Sequence, residues 1–244
     1  MSQANLPIDL VALLPGLDER ETMSALLTRR HKTIGVRRID FELLPHPRRD
    51  SGCHQEAEEA LRPYLRRARH ALVLFDHFGS GQDLRPAVEV ESDVERRLNA
   101  NGWCDRGLAV VIEPELESWV WSDSDVVAKT LSWPGGGARL DEWLGNGGYR
   151  EIGLEPRQPK EAFLAALRSA ALRKSAAIYR KLAETLPVGD CKDRSFQKLR
   201  SQLRAWFPVA QQEWALVEDR CVLPRPWRRF IPTRVPATAL STRI

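Results

Sequence analysis

The sequence lacks the features that mark secreted, membrane-spanning and zinc-finger proteins. It has no C-x-x-C pair, and its four cysteines are far apart: Cys53, Cys104, Cys191 and Cys221. This spacing argues against a zinc module and a disulfide framework and is typical of a reducing cytoplasm. The longest clean apolar runs, such as residues 71–75, are far shorter than the roughly 18 residues of a membrane span. The first residues have neither a basic segment nor a cleavable apolar stretch, so we expect no signal peptide and a cytoplasmic location without a membrane partner.

The composition excludes disorder, and the charge is unevenly distributed. With 43% hydrophobic residues in a chain of 244, enough apolar surface exists for one large domain, or for one domain with a helical appendage. The net charge is +4, yet Lys and Arg are concentrated in residues 160–204 and in residues 223–244, which contain no acid. We call residues 223–244 the basic tail. Such basic surfaces attract phosphate backbones, although they are as often ordinary solvated faces.

The first half of the chain alternates between strand-like and helix-like patterns. Strands are predicted over residues 8–14, 36–43, 70–76 and 107–113, and helices over residues 19–32, 54–69 and 86–101. The last two strands are nearly continuous apolar runs, as expected of strands that are buried on both faces of a parallel sheet. The alternation therefore predicts an α/β fold with a mostly parallel sheet flanked by helices.

The second half is predicted to be mainly helical. Residues 133–150 are rich in Gly but lack the G-K-[ST] ending of a phosphate loop, so a flexible surface loop is expected there. Helical spacing of apolar residues returns over 159–172, 175–186 and 194–207, and the prolines of the basic tail predict irregular structure. The predicted organisation is an α/β domain (6–132), a Gly-rich connection (133–158), a helical region packed on the first domain (159–222) and the basic tail (223–244).

Acidic residues follow the predicted strands at the edge where a parallel sheet places its chemistry. Asp76 ends the third strand, and Glu113 and Glu117 follow the fourth. Carboxylates from adjacent strand ends can converge on a hard divalent cation, which prefers oxygen ligands and can activate water or clamp a phosphate. We therefore assign a catalytic and metal-binding role to these three. For the acids after the first strand, capping of the next helix is the favoured interpretation: Asp18, Glu19 and Glu21.

Several basic and aromatic residues are candidates for contact with nucleic acid. Lys160 and Arg168 lie in the first of the late predicted helices, where they could hold a phosphate. In the basic tail, Trp227 is flanked by arginines that could bind phosphates while the ring stacks on a base or docks on a partner protein: Arg225, Arg228 and Arg229. For Trp206, which has helical spacing to other apolar residues, a place in the core is the favoured interpretation.

Two further groupings are expected to be structural. His46, Cys53 and His54 lie in one segment, but their spacing matches no zinc pattern and a fourth ligand is missing. Ser80 lies between two glycines without the G-x-S-x-G spacing of a nucleophile elbow. We therefore predict neither a zinc site nor a serine hydrolase.

Three short motifs occur in order along the chain. They are Pro-x-x-Glu-x-Trp (Pro114, Glu117, Trp119), Pro-Lys-Glu at the start of a late helix (Pro159, Lys160, Glu161) and Cys-x-x-x-Ser-Phe-x-x-Leu (Cys191, Ser195, Phe196, Leu199). This ordered set resembles the TOPRIM-like prokaryotic defence proteins, the group that contains RloB and the related abortive-infection proteins. The likeness covers residues 8 to about 207 and leaves the basic tail unmatched.

The resemblance implies a TOPRIM-like sheet with a Mg²⁺ site built from acids at strand ends, yet two acids of the family pattern are absent. Pro15 stands where a glutamate follows the first strand, and Phe78 stands at the second carboxylate of Asp-x-Asp. Neither side chain can bind a metal or move a proton. The resemblance therefore implies a degenerate module that holds Mg²⁺ weakly or not at all and binds nucleic acid or a partner subunit.

The function implied by the resemblance is that of an accessory component of a prokaryotic antiviral, restriction-type defence system, such as a subunit of a methylation-associated one. Its expected partners are DNA or RNA and other subunits of that system. Two alternatives stay open. The chain could be an active Mg²⁺-dependent nuclease that uses Asp76, Glu113 and Glu117, or a protein scaffold without catalytic activity.

Overall fold

A parallel sheet organises the part of the chain that the structure, a computed structural model, describes: residues 6–149, 156–189 and 191–209. Within these residues, four strands pair in the order β2-β1-β3-β4, and every pairing is parallel. The strands are β1 (Ile8–Leu14), β2 (Phe41–Pro45), β3 (Ala68–Asp76) and β4 (Gly107–Ile112). The predicted α/β fold with a parallel sheet flanked by helices is confirmed.

Alternating side chains of the central strands enter two apolar layers, one on each face of the sheet. Leu10, Ala12 and Leu14 of β1 belong to one layer, and Val11 and Leu13 belong to the other. This alternation follows from the two-residue period of a strand. Every residue of β1 is buried, which explains why the strand reads as a continuous apolar run.

Helices cover both faces of the sheet. Those before β4 are α1 (Leu17–Thr28), α2 (Arg49–Gln55), α3 (Ala57–Leu61) and α4 (Ala87–Leu98). Those after β4 are α5 (Glu117–Val120), α6 (Ser124–Leu131), α7 (Gly136–Asn146), α8 (Pro159–Ser169), α9 (Ala176–Thr185) and α10 (Arg194–Trp206). In the described residues, no helix has both the length and the apolar character that crossing a membrane requires.

The structure corrects the expectation of a loop at residues 133–150, because helix α7 occupies most of this stretch. Leu140 and Leu144 lie one turn apart and are fully buried, so the helix covers part of the core. Gly137 allows α7 to approach α6, since a Cβ there would lie 2.1 Å from Oδ1 of Asp125. Gly137 therefore serves a close contact between two helices rather than a flexible connection.

Three other predicted elements differ at their ends. Helix α1 begins at Leu17 with Gly16 in the N-cap position, so Asp18 lies in the first turn and is not the cap. Strand β2 begins at Phe41, and the preceding Val36 instead forms an isolated antiparallel bridge with Pro208. The helix expected over residues 54–69 is divided into α2, α3 and a short 3₁₀ turn that contains Pro63. A proline has no backbone N–H to donate to the preceding turn, so a helix ends readily at this position.

Helix α10 is fastened to β4 through a buried acid. Glu91 of α4 is 2% exposed and accepts a hydrogen bond from the backbone N–H of Val111 at 2.9 Å. The same carboxylate forms ion pairs with Arg194 at 2.9 Å and Lys198 at 3.2 Å, both from α10. The described residues belong to one compact unit, in which α10 packs on β4. The basic tail, with Arg225, Trp227, Arg228 and Arg229, lies outside the described residues.

Candidate functional site

A cleft of about 220 Å³ opens at the carboxyl edge of the sheet. Because all strands are parallel, the ends of β1 and β3 and the segment after β4 meet at this edge. Five carboxylates, one guanidinium and two amines line the cleft: Asp18, Glu19, Asp50, Asp76 and Glu117, with Arg49, Lys160 and Lys174. Four of these carboxylates and the two amines are the candidate functional groups: Glu19, Asp50, Asp76, Glu117, Lys160 and Lys174. We call this set of six residues the acidic cleft.

Asp76 is the last residue of β3 and connects three elements at the base of the cleft. Its Oδ1 accepts a hydrogen bond from the backbone N–H of Leu116 at 2.9 Å, and its own N–H donates to Oδ1 of Asp50 at 2.9 Å. Burial, followed by the charges of Glu19, Asp50 and Glu117, raises the pKa of the Asp76 carboxyl well above its ordinary value. The surroundings of Asp76 therefore disfavour the charged form of its carboxyl group.

Glu117 is the first residue of α5 and is 2% exposed. The hydroxyl of Tyr179 donates a hydrogen bond to its Oε1, and the ammonium of Lys174 lies 3.9 Å from the same oxygen. Lys174 also forms an ion pair with Asp18 at 2.9 Å. Burial and the nearby Glu117 raise the pKa of the Tyr179 phenol, so this hydroxyl keeps its proton and remains a donor.

The structure brings two carboxylates into the cleft that sequence reasoning did not place there. Glu19, in the first turn of α1, is 9% exposed, and burial followed by the charges of Asp18, Asp50 and Glu117 raises its pKa to about 7. Asp50 is in the first turn of α2, and burial raises its pKa as well. These acids lie beside Asp76 although Pro15 and Phe78 occupy the positions of the family acids.

A signal for Glu19 exists in the sequence, whereas one for Asp50 does not. Glu19 shares the buried face of α1 with Met23 and Leu26, so it is an acid within an apolar stripe of helical spacing. Burial of an acid costs free energy unless the carboxylate is paired or hydrogen-bonded, so an acid in an apolar stripe indicates a candidate functional site. Asp50 belongs to a helix of sequence RDSGCHQ, which shows no apolar periodicity.

Lys160 carries a fixed positive charge at the border of the cleft. It is the second residue of helix α8, directly after Pro159. Its Nζ forms an ion pair with Oε1 of Glu115 at 2.9 Å. Burial opposes the charge, but the bond to Glu115 and the nearby carboxylates outweigh it and raise the pKa of Lys160 to about 12. This amine is therefore protonated at neutral pH and can attract an anion.

The structure separates the residues that the sequence assigned to one site. Asp76, Glu117 and Lys160 line the same cleft, and their catalytic and binding roles remain predictions. Glu113 does not line it: its side chain is 49% exposed and lies 3.8 Å from His77 and 3.6 Å from Arg194. Glu113 directly follows β4, whereas Glu117 lies four residues farther along, where the connecting segment ends and α5 begins. Arg168 is exposed on α8 and is also outside the lining.

The donor chemistry of the acidic cleft fits Mg²⁺, because all four acids offer the hard oxygen ligands that this ion prefers. Burial is the largest cause of the raised pKa values of Glu19, Asp50 and Asp76, and a cation bound among these carboxyl groups would favour their charged forms. The side chains are not preassembled, however: within the described residues, no three His, Cys, Asp or Glu side chains form a group that could hold a metal ion. Binding therefore requires the carboxylates to reorient.

The histidines and the cysteine of residues 46–54, and Ser80, make contacts within the fold. His46 lies 3.1 Å from Glu56, His54 lies 3.8 Å from Asp93, and the buried Cys53 has a pKa that burial raises. Ser80 is fully buried and donates a hydrogen bond to the carbonyl of His77 at 2.7 Å.

Trp206 packs against the core, as expected for a residue with helical spacing to apolar neighbours. Its ring stacks on His70 with 4.3 Å between the ring centroids. The aromatic ring therefore contributes to the packing of α10.

The arrangement of four parallel strands is consistent with both Rossmann-like and TOPRIM-like folds. A fold that hosts many activities does not by itself identify a function, which has to be argued from the site. The likeness to the TOPRIM-like defence proteins rests on the three short motifs in the sequence. No known protein family, curated protein or solved structure matches the chain.

Proposed function

We propose that this chain cleaves phosphodiester bonds of nucleic acid with the help of Mg²⁺ and serves a prokaryotic antiviral, restriction-type defence system as a TOPRIM-like module. The observation that carries the proposal is the convergence of Glu19, Asp50, Asp76 and Glu117 in one cleft at the carboxyl edge of the sheet. Glu19 and Asp50 supply carboxylates in place of the two family acids that Pro15 and Phe78 replace. The site is thus richer in acids than the sequence motifs imply.

The residues of the cleft have separate roles in this proposal. The four carboxylates would hold Mg²⁺, which when bound polarises the phosphate and acidifies a water molecule. Lys160 and Lys174 line the same cleft and attract the phosphate oxygens through their positive charge.

A second candidate is a module that binds nucleic acid or a partner subunit without cleaving. It is favoured by the hydrogen bonds that already engage the key carboxylates, from the Leu116 N–H to Asp76 and from the Tyr179 hydroxyl to Glu117. The lack of a preassembled group of three metal-binding side chains in the described residues points the same way. In this second candidate function, Lys160 and Lys174 still bind phosphate, but no bond is cleaved.

The decisive experiment measures cleavage of plasmid DNA and of RNA in Mg²⁺ or Mn²⁺. We expect Asp76→Asn and Glu117→Gln each to lower the rate at least about 100-fold, because each removes a charged cation ligand. Glu113→Gln is the matched control and should keep its activity, since Glu113 lies outside the cleft. Thermal unfolding with and without Mg²⁺ shows whether each variant is folded and whether the ion binds.

Each outcome of this experiment selects one candidate. Cleavage that survives both Asp76→Asn and Glu117→Gln would show that the activity belongs to a contaminant or another site. Salt-sensitive binding without cleavage selects the non-cleaving module, because contacts with a phosphate backbone weaken steeply as salt rises. Association with a protein that is insensitive to salt, together with no binding of DNA or RNA at low salt, selects the scaffold.

A further inference from the structure

Phe78 exposes its aromatic ring in the loop that follows Asp76, the residue of the acidic cleft at the end of β3. Its relative exposure is 64%, and among the described residues it is the only aromatic residue that is mostly exposed. It stands two positions after the buried Asp76, at the position where the family pattern has a second carboxylate. An isolated exposed apolar residue is ordinary on a protein surface. Phe78 differs from such an isolated residue in the rigidity of its loop and in the charged residues beside it.

The loop that carries Phe78 is held in place by its own hydrogen bonds. The backbone N–H of Phe78 donates to the carbonyl of Pro114 at 3.1 Å. The next residues form a closed turn, in which the N–H of Gly79 donates to Asp83 at 3.0 Å and the N–H of Gln82 donates to the buried hydroxyl of Ser80 at 3.1 Å. These hydrogen bonds hold the loop backbone in the conformation that exposes the ring. A ligand that stacks on the ring therefore loses little free energy to ordering of the loop.

The ring also shares a pocket with charged residues that lead towards the acidic cleft. Phe78 lines a small surface pocket of about 140 Å³ together with Arg157, Glu115 and Glu161. Glu115 forms the 2.9 Å ion pair with Lys160, which lines the acidic cleft. An exposed aromatic face, an adjacent guanidinium and the amine of Lys160 thus occur along one short stretch of surface.

We propose that Phe78 is a stacking platform for an unpaired nucleobase of the strand whose backbone enters the acidic cleft. The inference rests on the proposed function and specifies its substrate as single-stranded DNA or RNA, or an unpaired segment of a duplex. Every base has a π face that can stack on a phenyl ring, whereas the face of a paired base is covered by its neighbours in the helix. The platform therefore favours single strands without reading their sequence.

The test measures binding by fluorescence anisotropy, with Ca²⁺ in place of Mg²⁺ to suppress cleavage. The probes are labelled single-stranded DNA and RNA of about 16 nucleotides, near the upper site size of single-strand-binding folds. We expect Phe78→Ala to weaken binding about tenfold and Phe78→Trp to restore it. Leu84→Ala is the matched control and should bind as the wild type does, because Leu84 is a fully exposed apolar residue of the same loop without an aromatic ring.

A second set of probes isolates the stacking contact. Oligonucleotides with one abasic position, moved along the strand, should include a position at which the wild type loses about tenfold in affinity and Phe78→Ala loses nothing further. That pattern is the signature of a base on the ring. A merely structural role of Phe78 would give equal losses for both proteins at every position.

The outcomes separate the inference from the function on which it rests. If the wild type binds or cleaves nucleic acid and Phe78→Ala equals it on every probe, the stacking platform is wrong and the proposed function survives. If the wild type neither binds nor cleaves any oligonucleotide, the proposed function fails together with the platform. If Phe78→Ala changes only self-association or the capture of a partner protein, the ring is a protein contact and the inference is overturned.

Discussion

The carboxyl groups of Glu19, Asp50 and Asp76 lie in surroundings that disfavour their charged forms. Burial and the neighbouring acids raise the pKa of Glu19 from an ordinary 4.5 to about 7. A carboxyl group with a raised pKa binds its proton more tightly in the folded than in the unfolded chain. The contribution of Glu19 to stability is therefore greatest at low pH and is lost as the pH rises through the interval between its two pKa values.

We expect Glu19→Gln to reduce this pH dependence. Between about pH 5 and about pH 8, the free energy of unfolding of the wild type should fall by roughly 2–3 kcal/mol more than that of the variant, because the variant has no carboxyl group to ionise at this position. Denaturant unfolding at the two pH values measures the difference. The exposed Glu161→Gln serves as the control, and a slope of Glu19→Gln equal to that of the wild type would contradict the burial argument.

At the scale of secondary structure elements, α4, β4 and α10 depend on one buried acid. The Glu91 carboxylate accepts a hydrogen bond from Val111 of β4 and pairs with Arg194 and Lys198 of α10. A buried acceptor with this many donors leaves several polar groups without partners when it is removed. The attachment of α10 to the sheet is therefore sensitive to this side chain.

We expect Glu91→Ala to lower the free energy of unfolding by about 2–4 kcal/mol, because it leaves the buried N–H of Val111 without an acceptor and removes the buried carboxylate that pairs with Arg194 and Lys198. Glu89→Ala, an exposed position on the same helix, should change it by no more than about 0.5 kcal/mol. Urea unfolding of the two variants checks the contrast. A small effect of Glu91→Ala would mean that water accepts these hydrogen bonds in place of the carboxylate.

The sequence predicts those elements whose core contacts follow a regular period. Strand β1 matches its predicted bounds, and the predictions for α8 and α10 are close, since their apolar residues face one continuous core. Helix α7 was missed because its glycines indicate a loop, while the contact of Gly137 with α6 that explains them is visible only in three dimensions. The start of β2 was misplaced because Val36 pairs with Pro208, a contact distant in sequence.

The acidic cleft was predictable only in part. Asp76 and Glu117 follow strand-like runs, so the geometry of a parallel sheet brings them together. Asp50 reaches the cleft through α2, a helix without a recognisable pattern, and its contact with the N–H of Asp76 joins positions that are far apart in sequence. Long-range pairings of this kind leave no local signal.

At the scale of the whole molecule, the charge is divided between an acidic cleft and a basic C-terminal part. The basic tail carries arginines and no acid, and its position lies outside the described residues. The described residues up to Val209 belong to one compact unit with its own core. Folding and the long-range attraction of nucleic acid are thus expected to depend on different parts of the chain.

Deletion of residues 224–244 tests this division. We expect the melting temperature to stay the same within error, while affinity for nucleic acid falls and its dependence on salt becomes shallower. For every phosphate that the shortened chain no longer neutralises, the slope of log affinity against log salt should decrease in magnitude by roughly 0.7–0.9. Titrations at several salt concentrations measure the slope. Aggregation of the shortened chain would show instead that the tail contributes to the core.

The four-residue helix α5 carries both Glu117, which faces the cleft, and Trp119, whose indole N–H donates to Asp193 and Ser195 at the start of α10. Phe196 packs edge-on against the same indole ring at 5.2 Å. A ligand that moved α5 through Glu117 would also move Trp119 and with it the anchorage of α10. In that case thermodynamic reciprocity requires that a partner binding α10 change the affinity of the cleft for its ligand by the same factor. Such an arrangement would let assembly into a larger complex govern when the acids are available.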